Sequence, residues 1–254
     1  IVTAANDFFI VTAEELKDRG LQKYGHAILK KGSLASNSPI FSRADLEQIS
    51  KSEACHFLAL KREDRQDIAV SSYIEHGEEL DLPKRYKLRN RDCWFEVPVV
   101  PKEKAFFFKR SHNYPRLCLN EADVYLTDTA YGLRVRSPFT ERGLCYSFYN
   151  SLTLLFAETN GRFYGGGVLE LSPKEFRGLP SVYHEPTDEE FAEFVEAHES
   201  ADGDIISVLD FGDRWLKDKL QLDDASIATI RTAWSSVRSH RKRHSGRVRA
   251  EIQS

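Results

Sequence analysis

The chain has 254 residues, 41% hydrophobic and 30% charged, with a formal net charge of −3. That length can bury a sizeable core, and the composition is that of a soluble globular protein, not of a disordered or fibrous one. No apolar run approaches the roughly 18 residues of a bilayer span. Four widely spaced cysteines, Cys55, Cys93, Cys118 and Cys145, have no CxxC pair among them, which argues for reduced thiols and against a structural zinc site.

Ile1–Val11 is apolar around Asn6-Asp7 and reads as strand, turn and strand, the Asn-Asp pair serving the turn. The opening lacks the basic n-region of a secretory signal, so a cytoplasmic location without membrane partners is expected. It also lacks an initiator Met, which reads as a piece of a longer chain. Thr12 with Glu15 forms a capping box, and the helix it opens is expected to end near Gly25. Gly32–Pro39 is a loop, Ser42 with Asp45 opens a second helix to about Ser52, and Cys55–Leu60 is a buried strand. Ile68–His76 is a helix stopped at Gly77. Short strands follow at Cys93–Val97, Ala105–Lys109, Val124–Thr127 and Gly132–Val135, parted by Pro, Asn and Asp. Leu144–Thr159 has helical spacing, with Leu152, Leu155 and Phe156 expected to face inward. Three consecutive glycines, Gly165–Gly167, make a turn. Ser172, Pro173 and Glu175 then give a sharp helix start. Thr187 with Glu190 caps another helix, and helical patterns run over Asp204–Leu220 and Asp224 to about Arg243. The whole is expected to be α+β: a mixed β-rich domain with flanking helices over residues 1–185, then an α-helical C-terminal appendix over 186–254.

The modest net charge hides segregation. Asp81–Arg116 holds ten Lys and Arg against four acids, and Arg231–Ser254 seven against one, whereas Glu185–Asp224 holds fourteen acids against three bases. Separated basic blocks fit a protein that presents a basic face to a polyanion. Aromatics interleave with the charge in the Asp81–Arg116 block, which favours binding there. The tail SHRKRHSGRVR reads instead as a fraying basic end. His240 and His244 stand four apart, either half a metal site or a solvated basic face. With no Cys or carboxylate near in sequence, the face is favoured.

Motifs for catalysis are missing. There is no Walker loop and no GxSxG elbow. Glu15-Leu16-Lys17 is a lone ExK, too common to signal a nuclease, and the triple glycine lacks the strand-before, helix-after setting of a dinucleotide site. What stands out is an ordered series of blocks: AANDFFIV (Ala4–Val11), LRNRDCWFEV (Leu88–Val97), PRLCLNEADVYLTDTAYGLRV (Pro115–Val135), YNSLTLLF (Tyr149–Phe156) and GRFYGGGVLELSPKEFRGLP (Gly161–Pro180). In that order they resemble the target-recognition region of adenine-specific N6 DNA methyltransferases of the restriction-modification type, over about Ile1–Pro180. A Gly tends to precede the Ala-Asn pair in that family; Ala4 stands there in this chain. The family's Asn/Asp-Pro-Pro-aromatic motif and its Gly-containing S-adenosylmethionine loop do not occur. The resemblance therefore implies duplex DNA as partner and a catalytic domain outside this chain, with other restriction-modification subunits as further candidate partners. It implies S-adenosylmethionine for the parent enzyme and no catalytic or cofactor residues here. The alternative is a protein-docking module, the acidic helices over Thr187–Leu220 meeting a partner.

Candidate DNA contacts follow from side-chain chemistry. Arg89 and Arg91, two apart in an expected strand, would project from one face, either towards guanine edges and phosphates or into surface ion pairs. Trp94 is read as core. Lys109, Arg110, His112, Asn113 and Arg116 form a polar loop after an apolar FFF, suited to backbone phosphates or simply solvated. Arg162 and Tyr164 flank the glycines and either reach DNA or fill the corner. Lys174 lies in a capped first turn, whose amides favour an anion. Asn150 and Ser151 are read as helix caps.

Overall fold

The computed structural model describes residues 1–201 and 203–252, and from 244 on only the backbone. In chain order the elements begin with α1 (Asn6–Phe9), β1 (Ile10–Val11), α2 (Ala13–Asp18), β2 (Gly25–Leu29), β3 (Ile40–Phe41), α3 (Arg43–Ser50) and β4 (His56–Leu58). They continue with α4 (Ile68–Glu79), α5 (Tyr86–Arg89), β5 (Ala105–Phe108), β6 (Arg110–Ser111), β7 (Leu117–Asn120), β8 (Tyr125–Leu126) and β9 (Ala130–Leu133). The last are α6 (Glu141–Phe148), α7 (Ser151–Asn160), β10 (Arg162–Tyr164), β11 (Val168–Glu170), α8 (Pro173–Arg177), α9 (Asp188–Ser200), α10 (Ile205–Leu220) and α11 (Asp224–Ile252). The fold is α+β. All four capping boxes form: Thr12, Ser42, Ser172 and Thr187 each accept from the amide three residues on, and Glu15, Asp45, Glu175 and Glu190 reach back.

Two compact units divide the chain. The first comprises residues 1–36, 41–103 and 120–129; the second comprises 37–40, 104–119 and everything from 130 onward. The helices after Pro186 therefore belong with the second unit. In the first, β1 and β2 flank β4 antiparallel, with Ile10 and His26 both opposite Phe57, and β8 adds in parallel beside β2. Phe9, Phe57, Ile74 and Leu88 are fully buried in its core.

The first unit departs from the expected pattern at four places. Asn6–Phe9 is a helical turn rather than part of a strand pair. Adjacent residues of a strand point to opposite faces, whereas the turn sends both Phe8 and Phe9 into the core. The helix α2 stops at Asp18, and Gly25 instead opens β2. The helix α4 runs through Gly77, which is a contact and not a stop: a Cβ there would collide with Trp94 and Phe8. Cys93–Val97 forms no strand, although Phe95 and Val97 are buried and Trp94 packs on Phe8, as a core residue should.

The second unit carries two small sheets. β5 lies between β7 and β9, all antiparallel, with β9 starting two residues before the expected strand. The other runs β10-β11-β6. Among the described residues six helices, α6 to α11, belong to this unit, and Tyr146, Tyr149, Phe194, Leu209 and Trp234 fill its core. The helix expected over Leu144–Thr159 is two helices broken at Tyr149-Asn150. Asn150 caps α7, its Oδ1 accepting from the Thr153 amide at 2.9 Å. The inward face of α7 is also not the expected one. Ser151, Leu154, Ala157 and Glu158 are buried, while Leu152, Leu155 and Phe156 are half-buried. Polar groups can turn inward here because partners await them. The Ser151 amide and hydroxyl both donate to Asp213 of α10, at 2.8 and 2.6 Å, and Arg231 of α11 grips the same carboxylate at 2.8 Å.

Candidate nucleic-acid interface

In the second unit the glycine run is the turn of a β-hairpin. Arg162 pairs with Glu170 and Tyr164 with Val168 across it. Gly166 and Gly167 have φ of +84° and +70°, a region that side chains disfavour. β6 adds on the far side, with Arg110 opposite Glu170. Arg110, Glu170 and Arg162 thus form one row across three strands, and strand alternation places Tyr164 on the same face. Arg110 donates to Glu170 at 2.7 Å, and its guanidinium lies 5.5 Å from the Tyr164 ring centre. Arg162 donates to Glu175, the residue that also closes the Ser172 capping box. That bond holds the Arg162 guanidinium firmly charged. The Ser172 amide first, and Arg162 after it, keep the Glu175 carboxyl below its usual range. Phe163 and Tyr164 remain 53% and 46% exposed.

Lys174 and Arg177 are exposed on α8. The amide of Glu175, in the turn that Lys174 was expected to offer an anion, is already taken by Ser172 Oγ at 3.4 Å. Lys174 offers its charge at the surface beside that occupied amide. In the loop after β5, the His112 and Asn113 side chains are exposed, Lys109 is half-buried, and the Arg116 guanidinium lies 4.5 Å from the Phe108 ring centre. The loop backbone is held from α11. Arg241 donates to the His112 carbonyl at 3.0 Å and also to that of Gly167, Arg238 to the Asn113 carbonyl at 2.8 Å, and Lys242 to Asn113 Oδ1 at 2.8 Å. Arg241 further makes two 2.7 Å bonds to the carboxylate of Glu158, both side chains being fully buried. Burial, with the neighbouring arginines, pushes the Lys242 ammonium below its usual range.

Arg241 corrects the reading of the tail as a fraying end. The basic residues Arg238, Arg241 and Lys242 are braces for the hairpin and the loop. The side chains of His244, Arg247 and Arg249 lie outside those described. A signal was present: Trp234, Arg238 and Arg241 recur at helical spacing on the face that α11 turns inward. Among the described residues, no group of three or more His, Cys, Asp or Glu is placed to hold a metal ion.

In the first unit the expected strand geometry of Arg89 and Arg91 is replaced. Arg89 ends α5, exposed, 5.3 Å from the Tyr86 ring centre. Arg91 turns inward and donates to the carbonyls of Val2 (3.0 Å), Thr3 (2.9 Å) and Trp94 (3.3 Å). Burial lowers its pKa. It is a brace rather than an exposed contact.

Residues 1–216 match the family model described as the C-terminal domain of the type II methyltransferase M.Eco57I. The chain belongs to this family. Over 179 residues it is 22% identical to the type II methyltransferase M.AccI of Acinetobacter calcoaceticus, covering 69% of this chain and 33% of that protein. The crystal structure of the type IIG restriction endonuclease BpuSI is similar at a TM-score of 0.58 and 12% identity, covering 95% of this chain and 29% of that one. That likeness is one of fold. This M.Eco57I-type domain thus spans about a third of the length of such relatives.

The glycine turn of this domain joins two antiparallel strands and does not open onto a helix as the glycine-rich loop of nucleotide-type sites does. No Asn/Asp-Pro-Pro-aromatic motif occurs in its sequence.

Proposed function

We propose that this C-terminal domain grips and reads duplex DNA as the target-recognition part of a site-specific adenine-N6 DNA methyltransferase of a restriction-modification system. The observation that carries the reading is the sheet face on which Arg110, Arg162 and Tyr164 stand together beside the glycine turn, with Phe163 exposed at the same hairpin. Arginine offers bidentate donors to guanine edges and phosphates, and exposed aromatics offer stacking or hydroxyl contacts. Lys109, His112, Asn113, Arg116 and Lys174 supply further phosphate donors around this face, and Arg89 one in the first unit. In the longer protein a separate catalytic domain would hold S-adenosylmethionine and methylate an adenine flipped from the duplex. Such a protein would act in the cytoplasm, where it meets cellular DNA. Among the described residues no helix is long and apolar enough to cross a membrane.

A second reading has its own observation: α9 exposes Asp188, Glu189, Glu193, Glu196 and Glu199, a face suited to docking a protein partner. Fluorescence anisotropy with random-sequence duplexes over about 50–200 mM salt separates the two. Affinity that falls steeply with salt, and weakens in an Arg110→Gln/Arg162→Gln variant, is expected. An absence of salt-sensitive affinity would refute the DNA reading and leave the docking one.

A further inference from the structure

The segment Leu82–Arg89 has an unusual build. Leu82 and Leu88 are buried at 1% and 0% exposure and pin it to the core of the first unit. Between and beside them Lys84, Arg85, Tyr86, Lys87 and Arg89 are all exposed, Tyr86 at 70%. Lys84 is satisfied by Asp81 at 2.6 Å. For Arg85, Lys87 and Arg89, no carboxylate among the described residues lies within ion-pair distance. A large aromatic left this exposed contributes nothing to the core. The Arg89 guanidinium lies 5.3 Å from its ring centre, within cation–π range. Arg85, Lys87 and Arg89 are thus exposed cations on a short segment that Leu82 and Leu88 anchor to the core.

We propose that Arg85, Lys87 and Arg89, with Tyr86 positioning Arg89, form a sequence-independent contact to the phosphodiester backbone of duplex DNA, separate from the hairpin face of the second unit. This rests on the DNA reading above and adds a second, electrostatic grip to it. Charge complementarity selects the occupant. An anionic membrane would need a longer apolar face than the four residues of α5 present. Arg85 and Lys87 also line a cleft of about 520 Å³ with Arg19 and His76; Asp7, Glu15 and Asp128 line it too and would repel phosphate, so the contact is assigned to the exposed ends of the cations and not to the cleft.

The test is the salt dependence of duplex binding by the 254-residue chain. Removing one cation that neutralises a phosphate lowers the slope of log K against log [salt] by about 0.9, so Arg85→Gln/Lys87→Gln/Arg89→Gln should flatten it by up to about 2.7. The drop in affinity should be equal for duplexes of unrelated sequence. A matched control, Lys17→Gln/Lys31→Gln/Lys51→Gln, removes three exposed charges elsewhere on the same unit and should leave the slope nearly unchanged. If the wild type binds but the Arg85/Lys87/Arg89 variant keeps its slope, or the control flattens it equally, the second grip is overturned and the DNA reading stands. If the wild type itself shows no salt-sensitive binding, both are overturned.

Discussion

Arg241→Met tests whether the buried ion pair holds the hairpin. The substitution keeps most of the side-chain volume and removes the charge. It leaves the fully buried Glu158 carboxylate without its two 2.7 Å donors, and the carbonyls of His112 and Gly167 without the guanidinium that binds them. Breaking one side of a buried pair costs about 3–5 kcal/mol, because the remaining charge is stranded in a low-dielectric interior. For a chain of this size each kcal/mol shifts Tm by about 2–4 °C, so Tm should fall by roughly 6–20 °C. In the Arg241→Met background, Glu158→Leu should return much of that stability, since the stranded charge is gone. Recovery stays incomplete because the carbonyls of His112 and Gly167 still lack the donor that Arg241 gave them. Thermal unfolding followed by tryptophan fluorescence reads this out, Trp215 and Trp234 reporting on the second unit and Trp94 on the first. A drop below about 1 kcal/mol for Arg241→Met, or a double variant no better than the sum of the singles, would refute the reasoning.

Ala4 has φ of +65°, the left-handed region that favours Gly. Relief of about 1–2 kcal/mol, less about 0.5–1 kcal/mol for the freer unfolded chain, leaves Ala4→Gly more stable by about 0.5–1 kcal/mol, and a lowered urea midpoint would contradict this. Burial pushes the His198 imidazole down to about 4 from an ordinary 6.5. The unfolded chain therefore binds its proton first, and stability should decline as pH falls from about 6.5 to about 4, by about 3 kcal/mol in all. The imidazole packs against Tyr149 and Phe194. His198→Leu should flatten this part of the pH–stability profile; an unchanged slope would mean that other groups produce it.

Much of the local structure was legible because its causes are local. At Thr12, Ser42, Ser172 and Thr187 the cap and the acid three residues on satisfy the helix end locally, wherever the helix lies. The glycine run was legible as a turn because only glycine takes those dihedrals cheaply, and Arg110, Arg162 and Tyr164 were recognisable as candidates from their chemistry. Sequence order alone did not show that Arg110, some fifty residues before the hairpin, would share a row with Arg162. The pairing of β6 with β11 decided that. Nor did it distinguish Arg89 from Arg91, chemically alike and two apart, of which one stays exposed on Tyr86 and the other turns into three carbonyls.

By itself the sequence determined the α+β class, the helix starts, the segregated charge and the family resemblance. Each depends on residue type and short spacing. Tertiary structure alone decided the fate of the charges. Glu158 lies 83 residues before Arg241, and neither would be buried without the other. An isolated ion in the interior is too costly, while a paired and fully hydrogen-bonded one is tolerated. A basic tail that looked solvated thus became the support beneath the hairpin, because its partner came from another helix.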